Sequence, residues 1–219
     1  MARPSRIYVL AGVNGAGKSS IAGAAFRHYG GEYFNPDEAA RRLMAANPAM
    51  DQAAANSAAW RQGRDLLEKA IRERLDFAIE TTLGGGTISR LLTEAARQGI
   101  GVYVWYVGLA NPELHIRRVR ARVRLGGHDI PEQAIRRRFE HSRLNLVALL
   151  PALAALRIYD NSTEADPAAG KTPVLVPVLL MEHRKILNPG DLARAPDWAK
   201  PIVAAALKLA RPDMKEWLP

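Results

Sequence analysis

The chain has 219 residues, 48% of them hydrophobic, and a formal net charge of +9. That length and apolar content fit one globular domain with a sizeable core and exclude an intrinsically disordered chain. The lack of cysteine excludes disulfides, cysteine nucleophiles and thiolate metal sites, while the basic balance points to anionic partners.

Met1 to Arg6 is short and polar and runs straight into an apolar stretch. It leaves no room for a signal peptide, and no segment has the apolar length to span a bilayer, so the expected compartment is the cytoplasm and no membrane contact is expected. Ile7–Ala11 reads as a buried strand and Lys18–Tyr29 as a helix, with Gly12-Val-Asn-Gly-Ala-Gly-Lys-Ser19 between them. Strand, G-x-x-x-x-G-K-S loop and helix in that order form a phosphate-binding loop. Gly12, Gly15 and Gly17 let the backbone curl so that N–H groups point inward, together with Asn14 and Ala16. The N-terminal end of the helix, at Ser19 and Ser20, adds positive potential. Lys18, expected as a solvent-facing cation, reaches toward the outer phosphates, and the Ser19 hydroxyl is placed to ligate Mg²⁺. The chain is therefore expected to bind a nucleoside triphosphate, ATP or GTP.

The second strand, Tyr33–Asn35, ends at Pro36, and a helix is expected over Asp37–Ala45. Asp37 is open to two readings. It is a favoured helix cap, and it is also a carboxylate at the carboxyl end of a strand, where ligands bind in open α/β sheets. There it could take the proton from an attacking hydroxyl. Asp51–Leu75 is rich in helix formers, and Trp60, Leu67, Ile71 and Leu75 recur at helical spacing as expected core residues. This helix could also wall one side of an acceptor pocket. The third strand, Phe77–Thr81, carries Glu80 near its tip, followed by Thr82 and Gly84-Gly85-Gly86. A buried Glu must be satisfied by backbone amides, a substrate hydroxyl or a hydrated metal. The glycines suit either a close ligand or a plain turn.

A helix over Thr87–Gln98 and a strand over Val102–Leu109 come next. Pro112–Arg124 reads as a helix with Arg117, Arg118, Arg120, Arg122 and Arg124, then Leu125-Gly-Gly-His128-Asp-Ile-Pro131. Helices are expected over Pro131–His141, bearing Arg136, Arg137 and Arg138, and over Leu144–Ala154. Two basic helices around a glycine loop form a lid whose cations could clamp the transferring phosphate, and an RNA-binding face stays open. Not every arginine can face inward, because Arg118 and Arg122 share one helical face and Arg120 and Arg124 another. Strands over Arg157–Asp160 and Val174–Met181, a loop over Ala165–Lys171 and an amphipathic segment over Pro201–Leu209 complete the chain. The alternation predicts an α/β three-layer sandwich with a mostly parallel central sheet and a helical lid over about 112–143. The expected organisation is a kinase domain over 1–187, with 188–219 packed on as a C-terminal appendage.

The phosphate loop, Asn35-Pro36-Asp37, Glu80-Thr81-Thr82, Gly126-Gly-His-Asp-Ile-Pro131 and Tyr159-Asp-Asn-Ser162 together resemble the zeta toxin family of P-loop kinases. The resemblance implies ATP or GTP as donor and a hydroxyl of UDP-N-acetylglucosamine as acceptor. It also implies toxicity restrained by a small antitoxin protein. By position, Asp37 matches the general base, Lys18 and Ser19 the phosphate and Mg²⁺ contacts, and Glu80 and Thr82 acceptor-binding residues. An arginine of Arg120–Arg124, Arg122 foremost, matches the γ-phosphate clamp. His128, Arg137 or Arg138 stands in for a second lid arginine. The long insertions of larger members are missing, which leaves the acceptor open. A nucleoside, a dinucleotide or an RNA end is the alternative acceptor, and an ATP-switched protein- or RNA-binding module is the alternative function.

Overall fold

The computed structural model describes residues 4–18, 32–163 and 175–210. The helix expected over Lys18–Tyr29 lies outside them apart from Lys18 itself, as do Ser19, Ser20 and the loop over Ala165–Lys171.

Seven strands form one sheet: β1 Arg6–Ala11, β2 Glu32–Phe34, β3 Phe77–Thr81, β4 Gly101–Gly108, β5 Ala155–Asp160, β6 Val176–Glu182 and β7 Lys185–Ile186. Their order is β2-β3-β1-β4-β5-β6-β7. The first five run parallel, and β6 and β7 are antiparallel. This is the mostly parallel α/β architecture expected from the alternation of elements. Ala11 pairs with Thr81 on one side and Tyr106 on the other, so the carboxyl ends of β1, β3 and β4 finish together. Loops leaving that edge converge where ligands bind in such sheets.

Side-chain alternation explains the layers. On β1, Ile7, Val9 and Ala11 join the main core, while Leu10 packs with Ala78 and Val107 on the opposite face. Six α-helices are described: α1 Pro36–Ala46, α2 Gln52–Glu73, α3 Gly86–Arg97, α4 Pro112–Arg124, α5 Glu132–Leu149 and α6 Lys200–Ala210. Leu67 of α2, Leu92 of α3, Ile135 and Leu146 of α5, and Ile202 of α6 all belong to the main core.

Three expectations are corrected. The two helices expected on either side of Arg143 are one helix, α5, because Ser142 and Arg143 carry no breaking signal; it passes into a 3₁₀ turn at Leu150–Ala152, around Pro151. On α2, Leu67 and Ile71 are buried, but Trp60 is 44% exposed, and Leu75, just past the end of the helix, is 45% exposed. The apolar stripe of α2 runs through Ala55, Ala59 and Gly63, so small residues make the close contact there; at Gly63 an added Cβ would stand 2.6 Å from the Phe34 ring. Among the described residues, no helix is long and apolar enough to cross a membrane.

Candidate active site

The phosphate loop leaves β1 at the centre of the sheet edge. Gly12, Gly15 and Gly17 have φ of 142°, 82° and 87°, all in the region that favours glycine. A Cβ on Gly12 would lie 2.2 Å from the Val107 carbonyl oxygen, and one on Gly15 would lie 2.7 Å from that of His115. Neighbouring side chains hold the loop carbonyls. His115, 1% exposed on α4, bonds the Asn14 carbonyl through Nδ1 at 2.8 Å. Asn161, 2% exposed after β5, donates Nδ2 to the Ala16 carbonyl at 2.9 Å. A carbonyl accepts, so His115 carries its proton on Nδ1. Burial pushes its pKa down to about 4, which keeps the ring neutral at pH 7. With carbonyls held from behind, the curled loop suits an anion. Sequence reading missed His115 and singled out Asn161 only as part of a motif, with no role, because their partners are backbone atoms more than a hundred positions away.

Lys18 is not solvent-facing. It is 7% exposed, and its Nζ lies 3.5 Å from Glu80 Oε1, which is also buried. Tyr33 Oη donates to Glu80 Oε2 at 2.8 Å and Asn35 Nδ2 at 3.1 Å. Burial, and next the Glu80 charge, raise the Tyr33 pKa. The Glu80 carboxylate is thus satisfied by a cation and two neutral donors, as buried charge requires.

Asn35 also settles the cap of α1. Its Oδ1 accepts from Asp37 N at 2.9 Å and Glu38 N at 3.3 Å, with Pro36 at the first helical turn. The capping reading of Asp37 is therefore corrected: Asn35 is the cap, and the Asp37 carboxylate is free to face the cleft. Asp37 Oδ2 lies 3.7 Å from Arg122 Nη1, and its Oδ1 lies 3.8 Å from His128 Nε2. Burial pushes the His128 pKa down, partly offset by Asp37, so that contact is polar rather than ionic at neutral pH.

The lid contributes unequally. Arg122 also donates Nη2 to the His128 carbonyl at 3.1 Å. Arg138 donates Nη1 to Asn14 Oδ1 at 2.7 Å, and burial lowers its pKa. Arg120 pairs with Glu132 on the exposed side of the lid, and Arg137 is exposed; neither lines the cleft. Arg118 donates to the Asn161 and Thr163 carbonyls. Thr82 caps its own turn, with Oγ1 accepting from Gly84 N at 3.3 Å, and lines the cleft.

The result is an open cleft of about 1050 Å³, counting the solvent at its mouth. Asn14, Lys18 and Arg138 line its phosphate end; Asp37, Glu80, Thr82 and His128 follow, and Asn56 and Trp60 of α2 form the far wall. A glycine cradle, a lysine, a free carboxylate and lid cations in one cleft are the parts of a phosphoryl-transfer site.

The sequence model of the family described as "Zeta toxin" matches residues 2–167. The chain belongs to the zeta toxin family. Its fold is that of the P-loop kinases, as the sequence resemblance implied. An uncharacterized protein of Haemophilus influenzae is 30% identical over 129 residues, 58% of this chain and 88% of that protein. The fold is shared with a chain of the crystallised AvrRxo1-ORF1:-ORF2 complex, with a TM-score of 0.64, 17% identity and coverage of 97% of this chain but 65% of that one. A further structure of that complex is with ATP. A structure from the PezAT chromosomal toxin-antitoxin system of Streptococcus pneumoniae matches with a TM-score of 0.52 and 17% identity, over 79% of this chain and 75% of that one. These neighbours share the fold at low identity, so the placement of this chain's functional groups rests on its own geometry.

Proposed function

We propose that this chain transfers the γ-phosphoryl group of ATP or GTP to a hydroxyl of a small acceptor, with UDP-N-acetylglucosamine the first candidate. The observation that carries this reading is Asp37. Asn35 relieves it of capping, and it stands in the cleft that Lys18 and Arg138 line. In the reaction the acceptor oxygen forms the new P–O bond as its proton passes to the Asp37 carboxylate. The bond from the γ-phosphorus to the bridging oxygen breaks, and the nucleoside diphosphate leaves. Lys18 and Arg122 balance charge on the phosphate oxygens, and Glu80, Thr82 and His128 orient the acceptor. Ser19 would hold a Mg²⁺ ion, which supplies further charge neutralisation at the phosphates. The chain is read as a kinase domain over 1–187 with 188–219 as its packed-on appendage. A small antitoxin protein is the proposed partner, because the PezAT neighbour comes from a toxin-antitoxin system.

An RNA face draws less support. Arg120 pairs with Glu132, Arg136 with Glu113 and Arg143 with Glu140, so much of the lid charge is neutralised within the lid and its neighbours. ATP consumption with Mg²⁺ against a panel of hydroxyl acceptors, with mass spectrometry of the products, tests the proposal. A phosphorylated acceptor is the expected result. Tight ATP binding with no transfer to any acceptor would favour the switch reading instead.

A further inference from the structure

Among the described residues, Leu83 is the one non-glycine residue of the core whose φ, at 51°, lies in the left-handed region. The other three with positive φ are exposed: Arg74 ends α2, and His183 and Arg184 form the turn between β6 and β7. A helix end and a hairpin turn ask for that geometry. A buried leucine does not, and left-handed backbone is costly for a bulky side chain, so it persists only where its surroundings hold it.

Leu83 stands in the turn between β3 and α3 that brings Thr82, Gly84 and Gly85 to the cleft. Within the turn, Leu83 N donates to Thr81 Oγ1 at 3.1 Å and Gly84 N donates to Thr82 Oγ1 at 3.3 Å. Helix α3 starts after Gly85 with no side-chain cap. The outer hold comes from α5. Asn145 Nδ2 donates to the Leu83 carbonyl at 2.6 Å and lies 3.4 Å from the Gly85 carbonyl oxygen. Carbonyls only accept, so the amide nitrogen of Asn145 must face the turn. Two helical turns earlier on the same face, Arg138 bonds Asn14 of the phosphate loop. Its Cγ sits against Gly84, where an added Cβ would stand 2.7 Å away. The Thr81 carbonyl accepts from Gly12 N at 3.2 Å, which ties the start of the turn to the phosphate loop as well.

We propose that Asn145 is a positioning residue for the acceptor: from the face of α5 that grips the phosphate loop, it holds Leu83 in left-handed geometry and so fixes where Thr82 stands relative to Asp37 and the transferring phosphate. Without that bond the Leu83 peptide can turn toward ordinary backbone geometry, and the Thr82 hydroxyl moves with the Gly84 N–H it accepts from. Asn145 does not itself line the cleft, so it acts through the turn. A small displacement of such a group costs far more in rate than in stability. This role rests on the kinase reading of the cleft, and Asn145 stands outside every sequence motif that pointed to it.

The test uses the full chain with ATP, Mg²⁺ and UDP-N-acetylglucosamine, as wild type, Asn145→Ala, Asn145→Asp and Asn145→Gln. Asn145→Asp keeps the shape of the side chain and puts an acceptor where the donor was. Asn145→Ala and Asn145→Asp should each lower kcat/KM for the acceptor about tenfold to a hundredfold, with the KM for ATP unchanged. Asn145→Gln keeps the amide and should recover part of that loss. A wild-type acceptor kcat/KM in Asn145→Ala and Asn145→Asp overturns the proposal. So does an equal rise in both KM values, which would mark a general loss of structure. Amide exchange followed by NMR on the same proteins, without substrates, reads the turn directly. The Leu83 amide should exchange about tenfold faster or more in Asn145→Asp, while the Phe139 and Leu146 amides of α5 keep their wild-type rates. An unchanged Leu83 rate, or a matching acceleration along α5, overturns the proposal. If wild type does not phosphorylate this acceptor, the kinase reading fails for it separately, and the Leu83 exchange rate alone decides whether Asn145 holds the turn.

Discussion

Asp37 separates binding from chemistry. Asn35 performs the capping, so Asp37→Asn removes a carboxylate without removing a cap. Its contacts to Arg122 and His128 are long and partly exposed, and such contacts contribute little to stability. Turnover should fall by about 10²–10⁴-fold, with melting temperature and ATP affinity nearly unchanged. Normal turnover in Asp37→Asn would remove it from the general-base role. The Asn-Pro-Asp string showed that a cap and a free carboxylate stood side by side. It could not show which was which, because Asn and Asp cap almost equally well. Lys18 teaches the same point about burial. The loop motif named it, but its pairing with Glu80 joins positions far apart in the chain. Lys18→Ala should abolish ATP turnover and also destabilise the fold by about 3–5 kcal/mol, because Glu80 is left charged and buried. Lys18→Ala with Glu80→Gln should regain much of the melting temperature and none of the turnover. Equal melting temperatures for Lys18→Ala and wild type would show that the ion pair contributes no stability.

At the scale of elements, the lid is anchored at both ends. Leu114, His115, Ile116 and Val119 are buried on α4, and Ile135, Phe139, Ser142 and Leu146 on α5. The stretch between, roughly 120–131, holds Gly126 at φ 87°, lines the cleft with His128 and touches Asp37 through Arg122. An opening that breaks the contacts to Asp37 needs only this stretch to move. Hydrogen exchange should therefore slow on adding a non-hydrolysable ATP analogue for Arg120–Pro131, with little change over Phe139–Leu149. Equal protection of Arg120–Pro131 in both states would mark a fixed face rather than a lid. Helix α4 was legible to its ends because Asn111, Pro112 and the following glycines mark them. The unity of α5 was not, because Ser142 and Arg143 break the apolar rhythm without breaking the backbone. That α2 could wall a pocket was legible, but the exposure of Trp60 was not, because an aromatic at helical spacing reads as core until the neighbouring helix is placed.

Across the whole molecule, the C-terminal part is tied to the nucleotide loop through one indole. Trp198 is buried, and its ring fills the space beside Gly108, where an added Cβ would lie 2.3 Å from it. Its Nε1 donates to Asp160 Oδ1 at 2.8 Å. The next residue, Asn161, holds the Ala16 carbonyl of the phosphate loop. Ala199, Ile202 and Val203 extend the same core, so the segment carrying α6 should unfold with the rest in one transition. Trp198→Ala should cost about 3–5 kcal/mol in urea unfolding, from the lost ring and the cavity it leaves. Trp198→Phe keeps most of the ring but strands the Asp160 bond, and should cost about 1 kcal/mol. If the indole also fixes the β5 tip, Trp198→Ala should raise the KM for ATP while leaving the acceptor KM near wild type. The acceptor wall belongs to α2, on the far side of the cleft from that tip. Two separate unfolding transitions, or a destabilised Trp198→Ala protein with a wild-type KM for ATP, would show that this segment only covers the core and does not position the loop.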